Sequence, residues 1–396
     1  MTRLSDGAPR VWRATTAGLC ATLVGIGLAR FAYTPLLPAL ITEGWFPSSQ
    51  AAYLGAANLA GYLAGALGAR PLARRAPARV ILRAMMLLVG LAFFACAVPL
   101  SFAWFFLWRF VSGAAGGIVM VLAAPTVLPH VPSARRGLAG GAIFTGVGLG
   151  IAASGTAVPL LLESGLARTW VGLGLLSLLL TALAWGGWPA DSTHAAAPDL
   201  ASRPPARRNV QLRALYVEYL LNAAGLVPHM VFLVDFVARG LARGIGTGAR
   251  YWVAFGVGAV VGPVLAGAVA DRIGFRAGLR GAFAVQAAAV LLPTLATGPI
   301  ALSVSSLVVG AAVPGIVPLV LGRVHELVPR DPEGQRAAWS VTTMAFALGQ
   351  ATAAYGFSFL FARGGDYLPL FSLAAACLVL ALAVDLAARV AAPRPI

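Results

Sequence analysis

The sequence predicts an all-α integral membrane protein with twelve transmembrane helices in two pseudo-symmetric six-helix lobes. Three observations predict it: an apolar composition sustained along the whole chain, twelve separable apolar runs, and an internal repeat of roughly 200 residues. Of 396 residues, 59% are apolar and only 11% are charged, where a soluble globular protein carries about a quarter charged residues. A mean hydropathy of +0.85 over this length cannot be hidden in one water-soluble core, because the surface would have to be built from the same residues. The natural solvent for such a chain is a bilayer.

A spanning helix needs about 20 apolar residues. Runs of that kind lie at 15–41, 50–69, 80–98, 101–128, 137–162, 168–189, 210–237, 250–270, 278–297, 300–322, 337–361 and 367–389. The connections between them are short and leave no room for a soluble domain. No cleavable signal peptide is expected, because the first run is too long and no small-residue cleavage pattern follows it. The longest break, 190–209, is polar, rich in Ala and Pro, and basic at its end. It divides the chain into an N-terminal lobe, 1–189, a central cytoplasmic linker, 190–209, and a C-terminal lobe, 210–396. The lobes resemble each other. The stretch from Gly117 to Pro132 aligns with that from Gly315 to Pro329 at an offset of 198 and then 197, and the basic loop around Arg70 matches the loop around Arg272. Two copies of six helices that start on the same side form the parallel repeat of two-lobed secondary transporters.

The charge is one-sided. All 29 basic residues are arginine, against 13 acids, for a net charge of +16. With the N-terminus in the cytoplasm, 22 arginines fall in inside segments and five outside, while Arg30 and Arg109 lie within helices. That bias follows the positive-inside rule and puts both termini in the cytoplasm. The basic excess is then topology rather than a nucleic-acid footprint. Cys20, Cys96 and Cys377 lie inside apolar runs and read as inert buried thiols. Histidine and cysteine show no metal spacing, and no Walker sequence, serine-nucleophile turn or paired-carboxylate arrangement is present. No enzyme activity, metal or cofactor is expected.

Gly267 to Arg276, GAVADRIGFR, fits the Gly-x-x-x-Asp-Arg-x-Gly-x-Arg signature of the major facilitator superfamily, in the loop between the eighth and ninth helices. The first-half loop from Gly65 keeps the glycine and the basic cluster but has Ala69 at the place of the acid. RFVSGAAGG, Arg109 to Gly117, is similar to the Arg-x-x-x-Gly pattern that the family associates with proton coupling. The fifth helix, with TGVGLG from Thr145, lacks the Gly-Pro pair of the antiporter signature. RFAYTPLLP, Arg30 to Pro38, followed by YLGAANLAGYLAGAL from Tyr53, resembles the YbfB/YjiJ-type branch. The resemblance covers essentially the whole chain. It implies a multi-pass transporter of the bacterial inner membrane, with Gly267, Asp271 and Arg272 in a gating loop.

The residues give their own candidates. Arg30 falls near the middle of the first helix, where a charge costs at least about 2.5–3.5 kcal/mol. Tyr33 and Thr34, at i+3 and i+4, share its face. A substrate-binding role is expected of the three, against a structural pairing of Arg30 elsewhere in the bundle. Arg109 either lines the same cavity or snorkels to the interface beside Trp104 and Trp108. In the seventh helix, Glu218, Asn222 and His229 form one stripe at about 100° per residue, with Gly225 and Pro228 between them to break or kink the helix. Glu218 is the only carboxylate placed well inside a helix and is the first candidate for a proton carrier, with His229 the second; pairing with Arg213 is the static alternative. Asn222, Asn58 and Gln350 are candidate substrate contacts, and Gln286 and Thr343 are softer ones. Pro125 with Pro129, and Pro314 with Pro318, occupy matching places in the two halves and are expected to permit gating bends. Asp235 and Asp385 sit at helix ends, where Asp385 is expected to pair with Arg389 at i+4. The glycine runs at Gly113, Gly116 and Gly117 and at Gly256, Gly258 and Gly262 read as packing faces.

The function expected from this pattern is alternating-access, proton-coupled symport of a small organic anion such as a carboxylate or sugar acid. The arginines supply bidentate carboxylate recognition. Proton-driven efflux of hydrophobic compounds is the alternative, and a non-transporting membrane sensor a distant one. The expected partners are the small-molecule substrate, protons and the lipid bilayer, with no nucleic acid, and the expected state is a monomer.

Overall fold

The computed structural model describes residues 7–132, 136–189, 210–329 and 331–390. The central linker, 190–209, lies outside them. Among the described residues every regular element is helical. The first run, α1, is composite: an α-helix Gly7–Thr22, a π segment Leu23–Leu28, a short α-helical stretch Ala29–Phe31 and, after a turn at Ala32, an α-helix Tyr33–Thr42. Then follow α2 (Ser48–Ala73), α3 (Ala78–Cys96), α4 (Phe102–Val127), α5 (Arg136–Leu162) and α6 (Leu166–Ala184). Beyond the linker come α7 (Val210–Asp235), α8 (Ile245–Ile273), α9 (Phe275–Leu295), α10 (Pro299–Leu327), α11 (Pro332–Gly364) and α12 (Leu368–Val390).

Local chemistry sets several of these ends. Ser101 caps α4 by accepting from Trp104 N at 3.1 Å, and Asp331 caps α11 by accepting from Gly334 N at 2.8 Å, each supplying one of the acceptors that a helix start lacks. The motif glycine Gly274 stands between α8 and α9 at φ +82, with its N–H donating to Ala270 O at 2.8 Å. Its backbone, at positive φ with ψ 159, is one that a side chain would strain.

Eleven of the helices are long and apolar enough to cross a membrane. The remaining one, α2, has 26 residues but is diluted by Gly, Ala, Gln50, Asn58 and Arg70. The α1 and α7 segments are each 89% buried over their most apolar stretch, against 33–67% for the other nine. They are therefore the interior helices, while the rest keep one face outward. Leu91, Leu175, Leu295 and Leu380 on α3, α6, α9 and α12 are exposed, as suits residues whose solvent is lipid.

The chain groups into two compact units: Met1–Ala195 with Val234–Gly256, and Ala196–Leu233 with Val257–Ile396. The first therefore takes in the end of α7 and the start of α8, where Trp252 Nε1 donates to Ser154 Oγ at 3.0 Å and its ring lies 5.9 Å from Phe31.

The internal repeat is visible in the packing. The starts of α2, α3 and α4, at Ser48, Ala78 and Phe102, and of α8, α9 and α10, at Ile245, Phe275 and Pro299, are all displaced by 197 residues. In the first unit a Cβ on Gly61 or Gly65 would collide with the carbonyls of Phe110 or Ala114. In the second, Gly258 and Gly262 stand in the same relation to Leu307 and Ala311. Glycines and the carbonyls they abut share one register, so both helix pairs use the same backbone-to-backbone contact. Two readings from sequence change with it. Asp271 and Arg272 stand opposite Arg74 and Arg75, rather than opposite Ala69 and Arg70. Pro314 stands opposite Gly117, so Pro125, two turns further along, is not its equivalent.

Of the break or kink expected in α7, the break is absent. The helix runs unbroken past Gly225 and Pro228 and loosens only at its end, in a π turn Phe236–Gly240. The interrupted helix is α1. Its glycines allow very close approach: Gly27 meets Gly150 of α5 backbone to backbone, and a Cβ on Gly116 of α4 would collide with the Gly25 carbonyl. Tertiary contact, more than local propensity, shapes this segment.

Candidate functional site

In the first unit the polar residues converge on one backbone atom, the carbonyl of Ala29, which immediately precedes Arg30 in the broken part of α1. Arg109 Nη1 of α4 donates to Ala29 O at 2.8 Å, and Asn58 Nδ2 of α2 donates to it at 3.3 Å. Asn58 Nδ2 also lies 3.2 Å from Arg109 O and 3.0 Å from Ser112 Oγ. The Arg109 guanidinium sits 4.4 Å from the centroid of the Tyr33 ring, and Tyr33 Oη donates to Ala51 O at 2.6 Å. Arg109, Asn58, Tyr33 and Thr34 are all buried. Arg109 is therefore neither a snorkelling residue nor a bare cavity charge. Its planar cation rests on an aromatic face and holds a carbonyl that the irregular helix leaves available. Arg30 is half-buried, with its guanidinium 5.2 Å from the rings of Phe31 and Tyr62.

In the second unit the α7 stripe is buried as the periodicity predicts, with Glu218 3%, Asn222 1% and His229 0% exposed. Asn222 Nδ2 donates to Gln286 Oε1 of α9 at 2.7 Å. His229 Nε2 lies 2.8 Å from Ser305 Oγ of α10, and that hydroxyl donates to Ala289 O at 2.6 Å. Because the Ser305 proton is engaged, His229 carries its proton on Nε2 and donates. Its ring meets Phe371 edge-on at 5.1 Å. Gln350 of α11 contacts Met230 Sδ at 3.6 Å, while Thr343 turns back to Trp339 O of its own helix. Sequence reasoning had no means of pairing Asn222 with Gln286 or His229 with Ser305, since each partner lies on another helix.

Glu218 forms no hydrogen bond or ion pair among the described residues, with Arg213 or otherwise. On α7 it falls between Leu215 and Tyr219, both members of the second unit's apolar core, and it feels the charges of Asp385, Arg323, Arg276 and Arg280. Those charges form a cluster that sequence reasoning missed. Asp385 of α12 is bound by Arg280 and lies 3.6 Å from Arg276 Nε, both of α9; the side chain of Arg389, the helical partner expected for it, lies outside the described residues. Arg323 bridges Glu326 at 2.8 Å and Gln211 at 3.0 Å. One carboxylate holding two arginines staples α9 to α12. Replacing Asp385 by Asn leaves two cations facing each other. It should lower stability by about 3 kcal/mol, read as a fall in the thermal unfolding midpoint of the purified protein. At the end of α7 Asp235 is buried and pairs with Arg239 at 3.2 Å, four residues on.

The signature-loop residues are placed differently. Asp271 and Arg272 are exposed at the end of α8, and a Cβ on Gly267 would meet open space. Pro125 and Pro314 lie inside helices that continue past them.

Among the described residues, eleven helices long and apolar enough to cross a membrane and polar clusters buried within each unit are the build of a multi-pass membrane protein, and the family match makes its class that of a transporter. The chain matches the family model described as "Uncharacterised MFS-type transporter YbfB" over residues 22–386 and belongs to that branch of the major facilitator superfamily. No curated protein matches it.

Proposed function

We propose that the chain is a proton-coupled secondary transporter working by alternating access with six spanning helices in each lobe, and that it imports a small organic anion by symport across a bacterial inner membrane, with both termini cytoplasmic. The observation that carries this reading is Glu218, a carboxylate 3% exposed in the interior helix α7 with no hydrogen-bond or ion-pair partner among the described residues. An ionised carboxylate in such a place is costly, so a proton that comes and goes is the least costly partner available to it. Arg30 supplies the anion handle. Arg109 and Asn58 hold the carbonyl before it, which fixes the turn from which Arg30 projects.

A thermal-shift panel of small organic anions, organic cations and neutral sugars on the purified full chain tests the anion reading. A bound ligand at 100 times its Kd stabilises the folded state by about 2.7 kcal/mol. Anions alone should raise the unfolding midpoint, and Arg30→Gln should remove that rise. Stabilisation by cations or neutral sugars only would overturn the proposal. The aromatic faces beside both arginines support a second reading, proton-driven efflux of hydrophobic compounds. A resistance profile of cells overexpressing the chain distinguishes it.

A further inference from the structure

The packing register places Arg79 and Arg83 of α3 opposite Arg276 and Arg280 of α9, each pair four residues apart on one helix face. In the second unit that pair holds an oxyanion, the carboxylate of Asp385 on α12. The position thus has demonstrated chemistry, two guanidinium groups closing on one anion from the first turns of a helix. In the first unit the facing helix, α6, carries no carboxylate. The whole chain from Glu43 to Glu163 contains no acid between those two, while Arg70, Arg74, Arg75, Arg79 and Arg83 crowd into 14 residues of it.

The surroundings fix the depth of this patch. Arg83 lies 4.7 Å from the centroid of the Trp185 ring and donates from Nε to Trp185 O at 3.0 Å. Trp185 and Trp12 are exposed. The backbone after Trp185 touches Arg13 of α1, since a Cβ on Gly187 would collide with Arg13 O and one on Gly186 would lie 3.3 Å from Arg13 Nη2. Exposed tryptophans at helix ends mark the headgroup level of a bilayer. The arginines at that level stand beside outward apolar residues, Val80 and Leu87 on α3 and Leu179 and Leu183 on α6. A phosphate presented there comes with acyl chains to lie along those residues.

We infer that the end of the first unit where α1 and α3 begin and α6 finishes is a binding site for the phosphate of an anionic phospholipid. Arg79 and Arg83 close on the phosphate, Arg13 and Trp185 flank it, and in the second unit Asp385 occupies the equivalent site from within. The two units then use one arginine pair in two ways: the second closes on a carboxylate of its own chain, and the first on a phosphate of the membrane.

The test titrates the detergent-purified full chain with dioleoylphosphatidylglycerol, dioleoylphosphatidylcholine or inorganic phosphate, and reads the unfolding midpoint together with the lipid retained in intact-protein mass spectrometry. Phosphatidylglycerol should raise the midpoint and be retained, and the other two should do neither. Arg79→Gln/Arg83→Gln should abolish the response, and Arg79→Lys/Arg83→Lys should keep part of it. Arg276→Gln/Arg280→Gln should lower the starting midpoint yet leave the phosphatidylglycerol response intact. If the glutamine pair fails to fold, Trp185→Ala and Arg13→Gln must each weaken the response. Equal responses to both lipids, saturation by inorganic phosphate alone, or an undiminished response in the Arg79/Arg83 variant would overturn the site.

Discussion

Replacing Gly61 by valine is expected to prevent accumulation of folded protein. A Cβ at that position would fall on the carbonyl of Phe110, a backbone atom that cannot turn aside as a side chain would, and Gly65, one turn on, stands in the same relation to Ala114. Relief requires that α2 and α4 separate. In a bilayer no hydrophobic drive rejoins them, because helix association there rests on close packing and hydrogen bonding. The separation would also pull Asn58 of α2 away from Arg109 O, Ser112 Oγ and the Ala29 carbonyl. Overpacking of a core typically costs 1–3 kcal/mol; with backbone as the obstacle and a buried polar node lost, about 3 kcal/mol or more is expected. Gly258→Val should do the same to α8 and α10 against Leu307. Gly68→Ala and Gly267→Ala, where the added Cβ meets nothing within 4 Å, should be tolerated. Size-exclusion profiles and melting curves of the four variants give the comparison. A well-folded Gly61→Val with an unchanged midpoint would show that the helix contact is not the constraint described.

How much of this was legible in the sequence depended on how far apart the interacting residues stand. The spans, the repeat and the buried stripe Glu218, Asn222, His229 follow from periods within one helix, and those periods survive folding. The partners do not follow from them. Local spacing offers Asp385 only residues one turn away, and it could not point to Arg280 and Arg276, which bind Asp385 from 105 and 109 residues earlier, on α9. Pro228 and Gly225 mark α7 as the helix to break, but a proline removes one hydrogen bond, and flanking turns with good packing keep the helix continuous past it. The π segment of α1, Leu23–Leu28, carries no proline. It is shaped by Gly25 and Gly27 lying against α4 and α5, and by two side chains from other helices that take up the Ala29 carbonyl. Arg109 shows the same limit: its charge made it conspicuous, and its distant acceptor decides what it does.

Glu218→Gln is expected to abolish proton movement while leaving the substrate site able to exchange its cargo. The side chains are nearly isosteric, and Glu218 gives up no hydrogen bond or ion pair among the described residues, so the core around Leu215, Tyr219 and Phe283 should keep its packing and the midpoint should change little. What disappears is the capacity to bind and release a proton beside the fixed charges of Asp385, Arg323, Arg276 and Arg280. In proteoliposomes holding a pH-sensitive dye, the anion identified by the thermal-shift panel should drive proton uptake with the native chain and none with the variant. Counterflow of labelled against unlabelled anion, which needs no net proton, should persist in both. A purely structural role would give the reverse, with a lowered midpoint and both activities reduced together. Unchanged proton uptake would move the coupling elsewhere, and His229 is the next group to replace. Its Nε2–H donates to Ser305, so His229→Gln, which can still donate there, separates the loss of a titrating group from the loss of a hydrogen bond.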